Sequence, residues 1–335
     1  MQSLTLAHIS DLHIGPLPRP GLRNLAGKRI TGFLSWRLGR VKIHRLEVLA
    51  QLAEDIAAQN PDHIAVTGDL VNISLPLEFA QARKFLERLG NGEHVTVIPG
   101  NHDAYVHQPW AQSLGLWQDY MTGRHIGAGG EEAADRPPED GRDFPFLRKR
   151  NGIALIGLST ALPTRPFSAH GELGPRQLGQ LDAMLAELGA AGLFRTVLIH
   201  HPPFAGGAYQ RKGLRDAVAL EAVIARRGCE LMLHGHMHTS SLGRLPGPTG
   251  PVPVIGVPSA SAIAEGGGRH HKDPSRYHLY RITRAEGASE WKLRLSIREL
   301  QADGSGYAPA GEMTLLGGVP EGTGPLPLVA QPQCA

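Results

Sequence analysis

The chain has 335 residues, with 34 lysines and arginines against 31 aspartates and glutamates, a formal net charge of +3, and 41% hydrophobic and 19% charged residues. That balance excludes extensive disorder and gives no whole-molecule signature of a nucleic-acid binder. Two cysteines, Cys229 and Cys334, exclude a disulfide framework and a cysteine-built zinc site.

A chain of this length can bury a sizeable core, as one large domain with an extension. The N-terminus shows no signal-peptide pattern, and no apolar run approaches the roughly 20 residues needed to cross a bilayer, so the expected location is the cytoplasm.

In chain order, Leu4 to Ser10 reads as a first strand. Arg45 to Gln59 reads as a helix with Leu46, Leu49, Leu52, Ala53 and Ile56 on one face, and His63 to Thr67 as a second strand. A helix over Leu77 to Leu89, a strand over His94 to Ile98 and a helix over Pro109 to Met121, carrying Trp110, Leu114 and Trp117, continue the alternation. Arg124 to Gly141 lacks periodicity and predicts a long surface loop.

The pattern then changes. Phe144 to Arg150 and Ile153 to Ser159 flank Asn151-Gly152, the turn chemistry of a β-hairpin, which predicts a mixed sheet. Helices over Pro175 to Ala190 and Leu214 to Arg226 alternate with strands over Thr196 to Ile199 and Glu230 to Leu233. Strands over Val252 to Val257, Tyr277 to Thr283 and Glu290 to Ile297 complete the set. Residues 1–300 form the expected main domain, and 301–335 a Gly/Pro-rich extension, loosely attached or running over the surface through Leu315 and Leu316.

Five predicted strand ends stop in polar clusters: His8-Ile9-Ser10-Asp11-Leu12-His13, Thr67-Gly68-Asp69, Gly100-Asn101-His102-Asp103, His200-His201-Pro202-Pro203 and His234-Gly235-His236-Met237-His238. Each alone also fits a turn or a helix cap. Together they offer imidazole nitrogen and carboxylate or amide oxygen without thiolate, a donor set for manganese, iron, zinc, cobalt or nickel. Parallel strands would bring such ends to one edge of a sheet, where α/β proteins place their sites.

The ordered set Asp-x-His, Gly-Asp, Gly-Asn-His-Asp, His and Gly-His-x-His resembles the calcineurin-like metallophosphoesterase family over Asp11 to His238. The resemblance implies an α/β fold, a four-layer α/β/β/α sandwich of two mixed β-sheets with a di-metal centre at their edge. It places Asp11, His13 and His238 on one divalent ion and Asn101, His200 and His236 on a second, with Asp69 bridging them. His102 stands beside the metals as a catalytic residue, with Asp103 orienting its ring. A shared carboxylate offsets the repulsion of two cations roughly 3.5 to 4 Å apart, and the implied nucleophile is a metal-bridging hydroxide. Within the family the motif set is similar to class III cyclic nucleotide phosphodiesterases, so a phosphodiester such as a cyclic nucleotide is the expected substrate. A binding scaffold that keeps the fold without catalysis is the reading from another class, and the filled ligand positions argue against it.

Between Leu12 and Leu46 no acidic residue occurs, while Arg19, Arg23, Lys28, Arg29, Arg37, Arg40, Lys42 and Arg45 are interleaved with Phe33, Leu34, Trp36 and Leu38. This reads either as a solvated helix packing its aromatics on the core or as a lid-like insertion over 14–45. A lid would steer a polyanion or rest on anionic lipid at the inner membrane face, which raises a lipid-linked pyrophosphate or phospholipid as the alternative substrate. Arg29, Arg37 and Trp36 from this segment, His201, and His270 in the basic stretch Gly266 to Lys272 are the candidate substrate contacts. A phosphate-ester small molecule is the expected partner. A homodimer is compatible with the sequence, and nucleic acid is not expected.

Overall fold

The computed structural model describes residues 1–25, 27–125, 135–205, 212–263, 273–317 and 329–330. The first half contains β1 (Gln2–Ile9), α1 (Lys28–Ser35), α2 (Val41–Ile43), α3 (Leu46–Gln59), β2 (His63–Val66), α4 (Pro76–Leu89), β3 (Val95–Val97) and the short β4 (Arg124–His125). The hairpin β5 (Phe146–Arg150) and β6 (Ile153–Gly157) follows, then α5 (Gly174–Ala190), β7 (Phe194–Leu198), α6 (Ala217–Arg227), β8 (Leu231–His234), β9 (Ser241–Leu245) and β10 (Val252–Gly256). The chain closes with β11 (Arg276–Arg284), β12 (Lys292–Leu300), β13 (Tyr307–Leu316) and β14 (Val329–Ala330).

The strands form two mixed sheets, one of six in the order β13-β12-β11-β1-β2-β3 and one of eight in the order β14-β9-β10-β8-β7-β6-β5-β4. In the first, β1, β2 and β3 are parallel, with Leu6 opposite His63 and Ile64 opposite Val95. On the other side of β1, β11 pairs antiparallel, with His8 opposite His278. In the second, β6, β7, β8 and β10 run parallel.

Side chains alternate between the two faces of a strand, and the second sheet shows where each face goes. Ile153, Leu155, Phe194, Leu198, Leu231, Leu233 and Ile255 join a core shared with the first sheet and with α3 and α4. Their neighbours Ala154, Ile156, Val197, Met232 and Val254 join a separate core with α5 and α6. The layers are therefore helix, sheet, sheet and helix.

Three expectations are corrected. Pro109 to Met121 is not an α-helix but two 3₁₀ segments, Trp110–Gln112 and Leu114–Met121, broken at Ser113. Trp110 folds over Gly115 so closely that an added Cβ would stand 2.7 Å from the Trp110 carbonyl oxygen. Residues 307–316 are not a loose tail. They form β13, paired along its length with β12, with Leu315 buried. The expected long loop begins and ends in structure, since β4 pairs with β5 and Gly123 bridges Arg136. Its middle, 126–134, lies outside the described residues, as does the tail over 318–328 and 331–335.

Candidate metal centre

The polar strand ends meet at one edge of the two sheets. The backbone turns sharply there: Asp11, His13, Asp69, His236 and His238 all have positive φ, between 42° and 70°. Non-glycine residues rarely hold this conformation, and such strain concentrates at functional sites. Backbone hydrogen bonds lock the first two loops together, from the Asp11 amide to the Gly68 carbonyl and from the His13 amide to the Asp69 carbonyl, both 2.9 Å.

Two glycines permit the closeness. A Cβ on Gly100 would stand 2.3 Å from Asp69 Oδ1, and one on Gly235 would stand 2.4 Å from Asp11 Oδ2. Only a residue without a side chain fits either place.

The donors face inward in two groups. Asp11 spends Oδ2 on the His236 amide at 2.8 Å and turns Oδ1 towards His238 Nε2 at 3.0 Å. The Nε2 atoms of His13 and His238 are 3.2 Å apart. On the other side His200 Nε2 lies 3.2 Å from Asn101 Oδ1, and the His236 ring centroid is 5.1 Å from that of His200. Asp69 stands between them. Its Oδ1 accepts from the His102 amide at 2.7 Å, while Oδ2 is 3.9 Å from His13 Nε2 and 3.4 Å from His200 Nε2.

Tautomers follow from the outer contacts. His200 Nδ1 donates to the Thr67 carbonyl, which turns its Nε2 to the centre, while His13 Nδ1 lies between the Val71 carbonyl at 3.2 Å and an Arg40 nitrogen at 2.8 Å, with its Nε2 on the inner side. His236 Nε2 has no hydrogen-bond partner among the described residues. Converging lone pairs from buried imidazoles and carboxylates, close together and poorly satisfied by one another, fit divalent cations.

The charges agree. Burial works against ionisation of Asp69, but His200 and His102 hold its carboxyl down at about 2. Burial likewise opposes the charged His200 ring, and the Asp69 carboxylate overrides it, raising the ring to about 9, so a cation binding here would displace the proton on Nε2. Burial, reinforced by His200, keeps His236 down at about 3.

His102 stands at the mouth. Its Nδ1 lies against the Asn72 carbonyl, and its ring stacks on Tyr105 at 5.4 Å. Burial and the Arg40 guanidinium lower it to about 4. Asp103 does not orient this ring. Its carboxylate accepts instead from the amides of Gly100, Asp69, Leu70 and Val71 at 2.8 to 3.0 Å, so it ties the β2 and β3 loops to each other. Burial and the Asp69 charge push its carboxyl up to about 7.

The candidate substrate contacts fare differently. Both His201 nitrogens are engaged, with Thr160 Oγ1 at 2.7 Å and the Ala169 carbonyl at 3.2 Å, so the ring does not offer a free donor to a ligand. Arg29 donates to the Ile73 and Ser74 carbonyls and anchors the 14–45 segment. Trp36 packs half-buried against the small core of Leu17, Ile73, Leu75 and Tyr105. Arg37 is exposed and stacks 5.9 Å over Phe33. His270 lies outside the described residues.

Other residues of that segment reach the site. Arg40, at the end of a π-helical turn over Trp36–Arg40, puts Nη2 2.8 Å from His13 Nδ1 and Nη1 3.4 Å from the His102 ring. Lys28 sits 4.2 Å over the Tyr105 ring, and burial lowers its ammonium to about 8. His44 joins His13 and His238 as a third imidazole within ligand reach. Ser261 Oγ lies 2.8 Å from His44 Nδ1, and Ser259 Oγ donates to the Asp11 carbonyl at 2.6 Å. His44 lies four residues beyond Arg40, a helical spacing that would have flagged it.

Such a sandwich, with nitrogen and oxygen donors gathered at the sheet edge, defines a metal-dependent hydrolase. The chain belongs to the calcineurin-like phosphoesterases, whose family pattern matches residues 4–240, and it is a metal-dependent phosphohydrolase. It is 27% identical over 239 residues to a "probable cyclic nucleotide phosphodiesterase" of Synechococcus sp., covering 70% of this chain and 74% of the relative. It is also 27% identical to the glycerophosphodiester phosphodiesterase GpdQ of Enterobacter lignolyticus over 224 residues, 65% of this chain and less than two thirds, 62%, of that protein. A dimetal phosphatase from Danio rerio shares the fold, with a TM-score of 0.54 at 13% identity over 94% of this chain and 99% of the other. Among the described residues no helix is long and apolar enough to cross a membrane.

Proposed function

We propose that the chain hydrolyses a phosphodiester at a two-metal centre in which Asp11, His13 and His238 hold one ion, Asn101, His200 and His236 the other, and Asp69 touches both. The observation that carries this reading is the Asp69 carboxylate, with one oxygen fixed by an amide and the other within 4 Å of imidazoles from both groups. When bound, a divalent pair polarises a phosphoryl group and makes water acidic enough to attack it near neutral pH.

The protein side chains do the rest. Asn101 offers a carbonyl oxygen without adding negative charge that would repel the substrate. Arg40 pairs with a non-bridging phosphoryl oxygen in the fork geometry that suits guanidinium. His102, its Nδ1 held by the Asn72 carbonyl, relays to the departing oxygen a proton that Nε2 first takes up from solvent, since the resting ring is neutral. Both curated relatives carry phosphodiesterase names, which favours a diester such as a cyclic nucleotide over a monoester. Every ligand position is filled, which speaks against a scaffold.

The test is hydrolysis of bis(p-nitrophenyl) phosphate by metal-stripped protein reloaded with manganese, with the bound metal counted. Asp69→Ala should lose metal and on the order of a thousandfold in turnover. Near-normal turnover by that variant would defeat the assignment. Metal-loaded wild-type protein that turned over no phosphate ester would favour the scaffold.

A further inference from the structure

The 14–45 segment has two faces, and the centre explains only the inner one. Arg40 and Lys28 point to His13, His102 and Tyr105, and Arg29 is spent on the Ile73 and Ser74 carbonyls. The outer face carries Ile30, Leu34 and Leu38, exposed by 49%, 50% and 80%. Their i, i+4, i+8 spacing puts them along one side of the helical run.

A fourth exposed apolar group stands on a loop bonded to the start of the same helix. Phe167, 91% exposed, lies on the loop whose Thr164 hydroxyl accepts from Lys28 at 2.7 Å, at the base of α1. These four are half of the eight large apolar side chains exposed among the described residues, so the exposure is concentrated rather than scattered. On the same stretches of chain Arg19, Arg37, Lys42, Arg45 and Arg165 are exposed. Among the described residues none of these five is ion-paired with a carboxylate.

We propose that this outer face docks on an anionic lipid surface, and that the centre beneath it takes phosphodiesters carried by lipids. The second half rests on the function proposed above, whereas docking does not. Charge selects the occupant: a face with basic residues and no acid from residue 13 to 45 repels a second copy of itself and attracts anionic headgroups. Shape agrees, because a convex helix with an apolar stripe and a basic collar is the form of an interfacial helix. The same run joins the surface to the centre, since Leu38 lies two residues from Arg40.

The experiment is co-sedimentation of the metal-loaded full chain with phosphatidylglycerol/phosphatidylcholine vesicles and with phosphatidylcholine alone, beside turnover of the soluble dye diester. Wild-type protein should pellet with the anionic vesicles and be released at about 0.5 M salt. The Leu34→Ser/Leu38→Ser variant and Lys42→Glu should bind about tenfold more weakly or less, with dye turnover unchanged. Thermal melts confirm that both variants fold. Failure of wild-type protein to pellet, equal binding by the double variant, or a wild-type dimer that the double variant dissociates would overturn the docking. Vesicle binding without dye hydrolysis would instead overturn the proposed function and leave docking intact. Binding and dye hydrolysis without cleavage of a lipid phosphodiester in the vesicles would remove the lipid-borne substrate.

Discussion

The loops that end β1, β2, β3, β7 and β8 and the segment over 14–45 meet at the same place but are built by opposite means. The loops are buried, joined by backbone hydrogen bonds, and made close by glycines and left-handed residues, so their geometry is determined by the backbone. The 14–45 segment is tied by backbone bonds only at its two ends, Ile14 to Leu70 and Ile43 to Arg45 against Ser261 to Ile263, and between them it is held by side chains: Arg29 on two carbonyls, Lys28 on Thr164, and a small apolar core around Tyr105. Fixed backbone suits ligands that must hold ions at a set spacing. A segment attached by a few side chains can open and close at modest cost, which suits entry of a substrate.

The contrast is broken most severely from the loop side. Gly100→Ala should cost about 2–3 kcal/mol of stability and most of the bound metal, because the new methyl group meets the Asp69 carboxylate and amide at 2.3 and 2.5 Å. Denaturant midpoints and metal counts would measure it, and a fully stable, metal-replete variant would mean that the loops are softer than their bonding suggests.

Acid should act next. Burial holds His8 well below its ordinary 6.5, and burial with Arg276 lowers His278 to about 3. Both rings are neutral when folded and take up protons when unfolded, so their contribution is complete above about 6.5 and is lost as pH falls from there, for His278 until about 3. Each should cost about 1.4 kcal/mol per pH unit in that window. Unfolding of metal-free protein at pH 7 and pH 5, beside His278→Gln with its shallower slope, would show it.

The smallest effect belongs to the 14–45 segment. Arg29→Ala removes two hydrogen bonds and should cost about 1–2 kcal/mol, leaving the metal bound and speeding amide exchange over 28–43. Loss of metal in that variant would erase the distinction between the two regions.

The same contrast explains what the sequence could and could not reveal. The ligand loops were legible as a set: each joins an apolar strand to a short polar cluster that alone also fits a turn, and five such clusters in one order do not. β13 was not, because Pro309 and Gly311 interrupt its apolar pattern. An edge strand tolerates both, and its register with β12 shifts near Arg298, opposite Pro309. β9 was missed because Ser241, Gly243 and Arg244 dilute its apolar positions, although Gly243 must be small where the Phe204 ring approaches to 2.3 Å of a would-be Cβ. The direction in which each arginine of the 14–45 segment points was equally hidden, since Arg29, Arg37 and Arg40 differ only in their place on the helical run.

Asp103, which gathers the amides of Gly100, Asp69, Leu70 and Val71, works like the pin of a caliper. It touches no reacting group under the proposed mechanism, yet the gap between the jaws contributed by β2 and β3 depends on it. Replacing it with asparagine would set one NH₂ against backbone donors and spread that gap. Under the proposed mechanism, the spacing open to the two ions would therefore depend on a side chain that binds neither.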